Sequence, residues 1–275
     1  MPEANHVKNQ RAFPAEFLYQ VFALLIAFIV VHSLYVALVR PRADQFLRQE
    51  AANLKADPQY VQQNSFYVVI KDYEQESCFV LALWAFAILA YKGADAYRQQ
   101  SLLERDILGL PESLPVGPED TRALAQRIEK LPLAEQEALP PRALLTAVER
   151  FGATHNVQDV STAVHEVCDS EGERMESELS TIRYIAWAIP SIGFIGTVRG
   201  IGDALGQAHR AVEGDITGVT ESLGVAFNST FVALVISIVL MFFIHQLQLR
   251  QERLVLDTAR YVDRGFLRRL LKGRS

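Results

Sequence analysis

The sequence predicts an all-α membrane protein with four transmembrane helices, the third and fourth extended into long cytoplasmic helices. Three observations carry this. Half of the 275 residues are hydrophobic, yet they are concentrated in runs: 17–39 (FLYQVFALLIAFIVVHSLYVALV), 78–91 (CFVLALWAFAILAY) and 222–247 (SLGVAFNSTFVALVISIVLMFFIHQL) hold no charge. A hydrocarbon core about 30 Å thick needs roughly 20 apolar helical residues, which the first and last runs supply. Finally, 189–202 (IPSIGFIGTVRGIG) places a proline and four glycines in an apolar run. In water, Gly in a helix costs about 1 kcal/mol relative to Ala and interior Pro about 3, so a helix here points to a solvent other than water.

The elements follow in order. Residues 1–16 are expected to be a cytoplasmic N-terminus. The run 17–39 is longer than a signal-peptide core and is followed by Val-Arg-Pro-Arg with no small-residue cleavage pattern, so it is expected to be a span. It forms a hairpin, 17–92, with the second run across an external loop of about 40–76. The second run is short, about 21 Å of helix. It reaches across the bilayer with Ser77 and with Tyr91 and Lys92 snorkelling at its end. Residues 93–182 form a cytoplasmic helical region punctuated by Pro111, Pro115, Pro118, Pro132, Pro140 and Pro141. Helices are expected between the breaks at 119–131, 141–151 and 156–182. The acidic stretch 159–182 leads into span three, about 183–205, and a short external segment, 206–221, leads to span four, about 222–247. The basic tail 248–275 continues span four. An acidic helix beside a basic one leaves two readings open: the two pack together or on neighbouring copies, or both are solvated charged faces.

Charge sets the orientation. After residue 247 stand eight basic and three acidic side chains, a net +5 beside a span, which the positive-inside rule places in the cytoplasm. Four spans then put Lys8 and Arg11 inside as well. Arg40, Arg42 and Arg48 oppose this, since they follow span one on the outer side. The two cysteines, Cys78 and Cys168, suggest neither a disulfide framework nor a metal motif. His32 and His245 stand alone in apolar runs and are expected to pack or hydrogen-bond. No nucleophile–base–acid set, phosphate loop or metal cluster is present, so no enzyme, metal or organic cofactor is expected. Anionic lipid and topology explain the basic tail better than nucleic acid does.

Spans three and four carry the candidate site. On a helix, Gly193, Thr197, Gly200 and Ala204 fall within about 40° of one another, with Gly196 about 60° to one side. Gly196-x-x-x-Gly200 is a small-xxx-small pattern, which in lipid drives close helix association. On span four, Ala226, Ala233 and Ser237 lie within about 60° of Thr230. Two small-residue stripes, each centred on a threonine, could line a narrow polar path; alternatively they are generic packing faces, with Thr197 bonded back to its own turn. Asp203 follows Arg199 by four residues, so an outer ion pair is expected. A proton or cation path requires a titratable group within the membrane. The apolar runs hold hydroxyls but no carboxylate, so a second polypeptide would have to bring it.

At this point the residues resemble the MotA/TolQ/ExbB proton channel family. Ile-Gly-Phe-Ile-Gly-Thr-Val-Arg-Gly-Ile at 192–201 resembles the family's Leu-Gly-x-x-Gly-Thr-Val-x-Gly-Ile, and Ala-Phe-Asn-Ser-Thr at 226–230 resembles its Ala-Leu-x-x-Thr. The resemblance covers about 160–255. It implies a homopentamer around a dimeric single-span partner similar to MotB, TolR or ExbD, which supplies a membrane Asp. H+ or Na+ flow past that Asp would drive motion in a bacterial inner membrane. Thr197 and Thr230, with Ser237, would be the ion-path hydroxyls, and Pro190 would match the proline at which span three opens in the MotA branch. The four-span layout resembles MotA, whereas the Gly-Thr-Val-x-Gly-Ile motif resembles TolQ and ExbB. The acid that ExbB-like chains carry before the second threonine is Val225 here, with Glu221 one turn earlier. The alternative to an ion-driven stator is a membrane scaffold that assembles a partner without conducting.

Overall fold

The computed structural model describes residues 15–57, 60, 63, 65–109 and 116–272. Most of the expected cytoplasmic N-terminus, with Lys8 and Arg11, lies outside them, as do Pro111, Pro115 and Arg274. Among the described residues the regular structure is entirely helical. Four helical stretches are long and apolar enough to cross a membrane: Glu16–Ala56, Tyr73–Leu102, Val157–Gly206 and Thr217–Leu270. The chain divides into two compact units. Among the described residues, one holds those up to Ile88 together with Tyr184–Leu240, the other those from Leu89 to Arg183 and from Met241 onward.

In the first unit, α1 (Ala15–Leu34) passes through a π-helical turn, Tyr35–Val39, into α2 (Arg40–Ala56). The turn has a cause. Pro41 has no N–H and its ring crowds the carbonyl one turn back, so the helix widens just before it instead of breaking. The expected external loop 40–76 is therefore helical as far as Ala56. Its Ala, Gln, Arg, Leu and Glu residues are good helix formers, and Pro41 lies in the first turn of α2, where it is tolerated. A short α3 (Phe66–Val69) precedes α4 (Tyr73–Leu102), which begins five residues before the second apolar run and so gains length that the run alone lacks. Val31, Tyr35, Val39, Ile70, Val80 and Val232 form the buried cluster of this unit. Outward-facing side chains are as apolar as the core. Phe22 is 61% exposed and Ile238 70%, a surface that suits lipid or neighbouring chains and not water.

In the second unit, α5 (Thr121–Glu129), α6 (Leu133–Gln136) and α7 (Leu139–Thr154) fill the Pro-punctuated region. Pro140 and Pro141 fall in the first turn of α7, where their missing N–H groups cost nothing. Leu139, Ala143, Leu144, Ala147, Val148 and Phe151 make one fully apolar face of that helix. His155 ends it in the left-handed conformation, φ 52°. The Asn156 side chain then accepts a hydrogen bond from the Gln158 N–H at 3.0 Å, capping the 50-residue α8 (Val157–Gly206).

The acidic and basic helices pack together, but not through their charges. Val160, Val164 and Cys168, at successive turns of α8, join a core with Val262, Phe266, Leu267 and Leu270. Beyond α9 (Ala208–Val212), Val262 ends α10 (Thr217–Val262), and the other three follow it in a π turn, Asp263–Leu267, and α11 (Arg268–Lys272). Phe151 meets Phe266 edge to face, with centroids 6.2 Å apart. The carboxylates of α8 find other partners. Glu171, 2% exposed, holds Arg142 at 3.2 Å and Arg174, and Glu178 holds Arg174 at 3.0 Å and Lys92 at 2.6 Å. Lys92 is itself buried in this pair instead of snorkelling.

Candidate functional site

The two small-residue stripes face each other. A Cβ on Gly193 would meet the Ala233 Cβ at 2.5 Å and the Ser229 carbonyl at 3.0 Å. On Gly196 it would meet the Ser229 Cβ at 2.5 Å, and on Gly200 the Ala226 Cβ and the Ser222 carbonyl at 2.8 Å. Gly193, Gly196, Gly200 and Ala204 on α8, like Ala226 and Ala233 on α10, are buried in this seam. Gly202 points elsewhere, with nothing within 4 Å of its Cβ position. Pro190 lies inside the continuous α8.

The seam brings Thr197 and Thr230 together. Their hydroxyls are in direct hydrogen-bond contact, both half-buried. The Thr197 Oγ1 lies 3.0 Å from the Ala226 carbonyl and 3.3 Å from the Gly193 carbonyl of its own helix. The Thr230 hydroxyl donates to the same Gly193 carbonyl at 3.1 Å. The local back-bond expected for Thr197 therefore exists, but the shorter carbonyl contact crosses to α10. Two hydroxyls have two protons between them: their mutual hydrogen bond takes one, and a carbonyl accepts the other. Each Oγ1 then keeps lone pairs to offer a cation, a water or a protonated group. Ser237 lies on the same face and donates to the Ala186 carbonyl at 3.0 Å.

The α8 end nearest Arg199 and the segments packed around it carry groups that periodicity did not reveal. Arg199 does approach Asp203, at 3.8 Å. Its close partner is Glu74 in the first turn of α4, bound through two hydrogen bonds of 2.7 and 2.8 Å. Glu76, 6% exposed, binds Arg40 and accepts from the His32 imidazole at 2.7 Å. Arg42 stacks over the Tyr67 ring at 5.2 Å. Gln75, fully buried, donates to the Val69 carbonyl at 3.1 Å and reaches the Ser229 hydroxyl at 3.4 Å. Its Oε1, with the Tyr35 hydroxyl and one Asp72 oxygen, is buried without a hydrogen-bond partner. The only hint in the sequence was the pair of glutamates just outside the second apolar run. Among the described residues, no group of three or more His, Cys, Asp or Glu could hold a metal ion.

Four long apolar helices, lipid-type outer surfaces and a close-packed hydroxyl seam define a multi-pass α-helical membrane protein. No curated protein and no solved structure matches this chain. Residues 135–259 match the model of the MotA/TolQ/ExbB proton channel family. The match takes in both motifs, at 192–201 and 226–230, and begins upstream of them within α6.

Proposed function

We propose that this chain is the ring-forming subunit of an ion-driven energy transducer in a bacterial inner membrane, with both termini in the cytoplasm. Five copies surround a dimer of a single-span protein, and H+ or Na+ passes between the Thr197–Thr230 pair and a carboxylate on that partner. The observation that carries the proposal is the hydrogen bond between the two hydroxyls across a seam lined by backbone carbonyls, so that two protons are shared among more acceptors than they can satisfy. This leaves acceptor oxygens half-exposed in a segment matched by a channel family, with no acid in the apolar runs to complete a path. The reading assigns the chain no chemical catalysis.

The test has two parts. Purification from native membranes should yield an oligomer with a single-span companion bearing a membrane Asp. In that complex, Thr197→Val and Thr230→Val should each reduce gradient-driven ion flux at least about tenfold, the loss of roughly 1.4 kcal/mol of stabilisation, with assembly intact. A lone monomer, or normal flux in both variants, refutes the reading. A complex that assembles its partner but is indifferent to collapse of the gradient is the non-conducting scaffold instead.

A further inference from the structure

The second unit holds a cavity of about 880 Å³ between the end of α4 and the C-terminal helix. Arg105, Arg260, Arg264, Arg268 and Arg269 line it. Arg269 is only 8% exposed, and its Nη1 is buried with no hydrogen-bond partner. A buried guanidinium N–H without an acceptor is unfavourable, because that donor has lost water and gained no partner in return. Such a group calls for an anion.

The carboxylates around the cavity do not meet that need. Asp257 is engaged by Gln100 at 3.2 Å and Arg260 at 3.5 Å, and Asp106 accepts the Gly109 N–H at 2.8 Å. Glu104 also lines the cavity, so the lining is net positive by two charges. Among the described residues, Arg264 and Arg269 join no ion pair. The wall is held in place: the Tyr261 hydroxyl donates to the Arg105 carbonyl at 2.8 Å and accepts the Ile107 N–H at 3.1 Å. Arg105 is drawn to Glu135 at 3.2 Å and Arg268 to Asp263 at 3.5 Å, contacts on exposed side chains that a stronger acceptor can displace.

We propose that this cavity binds a phosphate-bearing anion, with Arg269 and Arg264 as its principal ligands. Guanidinium groups offer paired N–H donors that match phosphoryl oxygens. The ligand can be a soluble phosphate compound or a lipid headgroup. Arg260 lies thirteen residues beyond Leu247, the end of the uncharged run, or about 20 Å further along a helix. That distance favours the soluble source.

The experiment titrates inorganic pyrophosphate calorimetrically into the full chain, held in phosphatidylcholine nanodiscs and in discs that also contain phosphatidylglycerol. Saturable binding near one per chain is expected, weakened at least about tenfold, one charge-assisted contact, by Arg269→Gln or by the exposed Arg264→Gln. Arg250→Gln, outside the cavity, should leave it unchanged. If phosphatidylglycerol abolishes pyrophosphate binding, a headgroup supplies the phosphate; if it has no effect, the ligand is soluble. The proposal is overturned if binding is absent in phosphatidylcholine, or if neither cavity substitution weakens it more than Arg250→Gln does.

Discussion

Replacing Gly193 by alanine forces α8 and α10 apart. The new Cβ would lie 2.5 Å from the Ala233 Cβ, 3.0 Å from the Ser229 carbonyl and 3.2 Å from the Thr230 Cα. Carbon atoms rest at about 3.5–4.0 Å, so the helices must separate by roughly 1 Å. The Thr230 bond to the Gly193 carbonyl, at 3.1 Å, and the Thr197 bond to the Ala226 carbonyl, at 3.0 Å, would stretch to about 4 Å, beyond hydrogen-bond range. Overpacking costs about 1–3 kcal/mol, and each interhelical hydrogen bond in a membrane adds about 0.6. The expected destabilisation is about 2–4 kcal/mol. Unfolding by sodium dodecyl sulfate in mixed micelles, followed by circular dichroism, measures it. Gly202→Ala is the control and should be neutral or slightly stabilising, since its Cβ meets nothing within 4 Å. Adding Ala233→Gly to the Gly193→Ala chain removes the closest clash and should recover at least about 1 kcal/mol. The reasoning fails if Gly193→Ala unfolds within about 0.5 kcal/mol of the unmodified chain, or if Ala233→Gly restores nothing.

Two further outcomes are expected. In a double-mutant cycle, Arg199→Gln and Glu74→Gln should show a coupling of about 0.5–1 kcal/mol, because the pair is two-pronged but Arg199 is 45% exposed; strict additivity in the same unfolding assay would dissolve the link. Burial first, then the nearby Asp169 and Glu171, push the Cys168 thiol up to about 11. Below that pH the thiol stays protonated and unreactive in the folded chain, whereas an unfolded cysteine ionises near 8.5. Iodoacetamide at pH 8 should therefore leave Cys168 intact until denaturant is added, as peptide mass spectrometry would report; rapid labelling of the folded chain would contradict the packing of α8.

Hydropathy located spans one, two and four, and the proline–glycine run 189–202 marked span three; angular spacing put Gly193, Thr197 and Gly200 on one face with Gly196 to one side, and in the structure the three glycines abut α10. Both depend on residues near one another in sequence. The same logic stopped helix one at Val39, where the apolar run ends, and missed its continuation to Ala56, because a π turn before Pro41 absorbs what would otherwise be a break. It paired Arg199 with Asp203 four residues away and missed Glu74, which lies 125 residues distant. The ionic partners of the acidic helix also escaped it: Lys92 and Arg142 lie on other elements.

By itself the sequence determined that the chain lives in a bilayer, how many times it crosses, and which faces of the last two spans are smooth enough to touch. Burial of apolar runs and close approach at glycine are short-range consequences of composition and helical period. Only the tertiary structure decided that those faces meet each other, that the two threonine hydroxyls share one seam, and that Arg269 ends up buried without an acceptor. Such pairings depend on how distant segments fill space, which no local periodicity encodes.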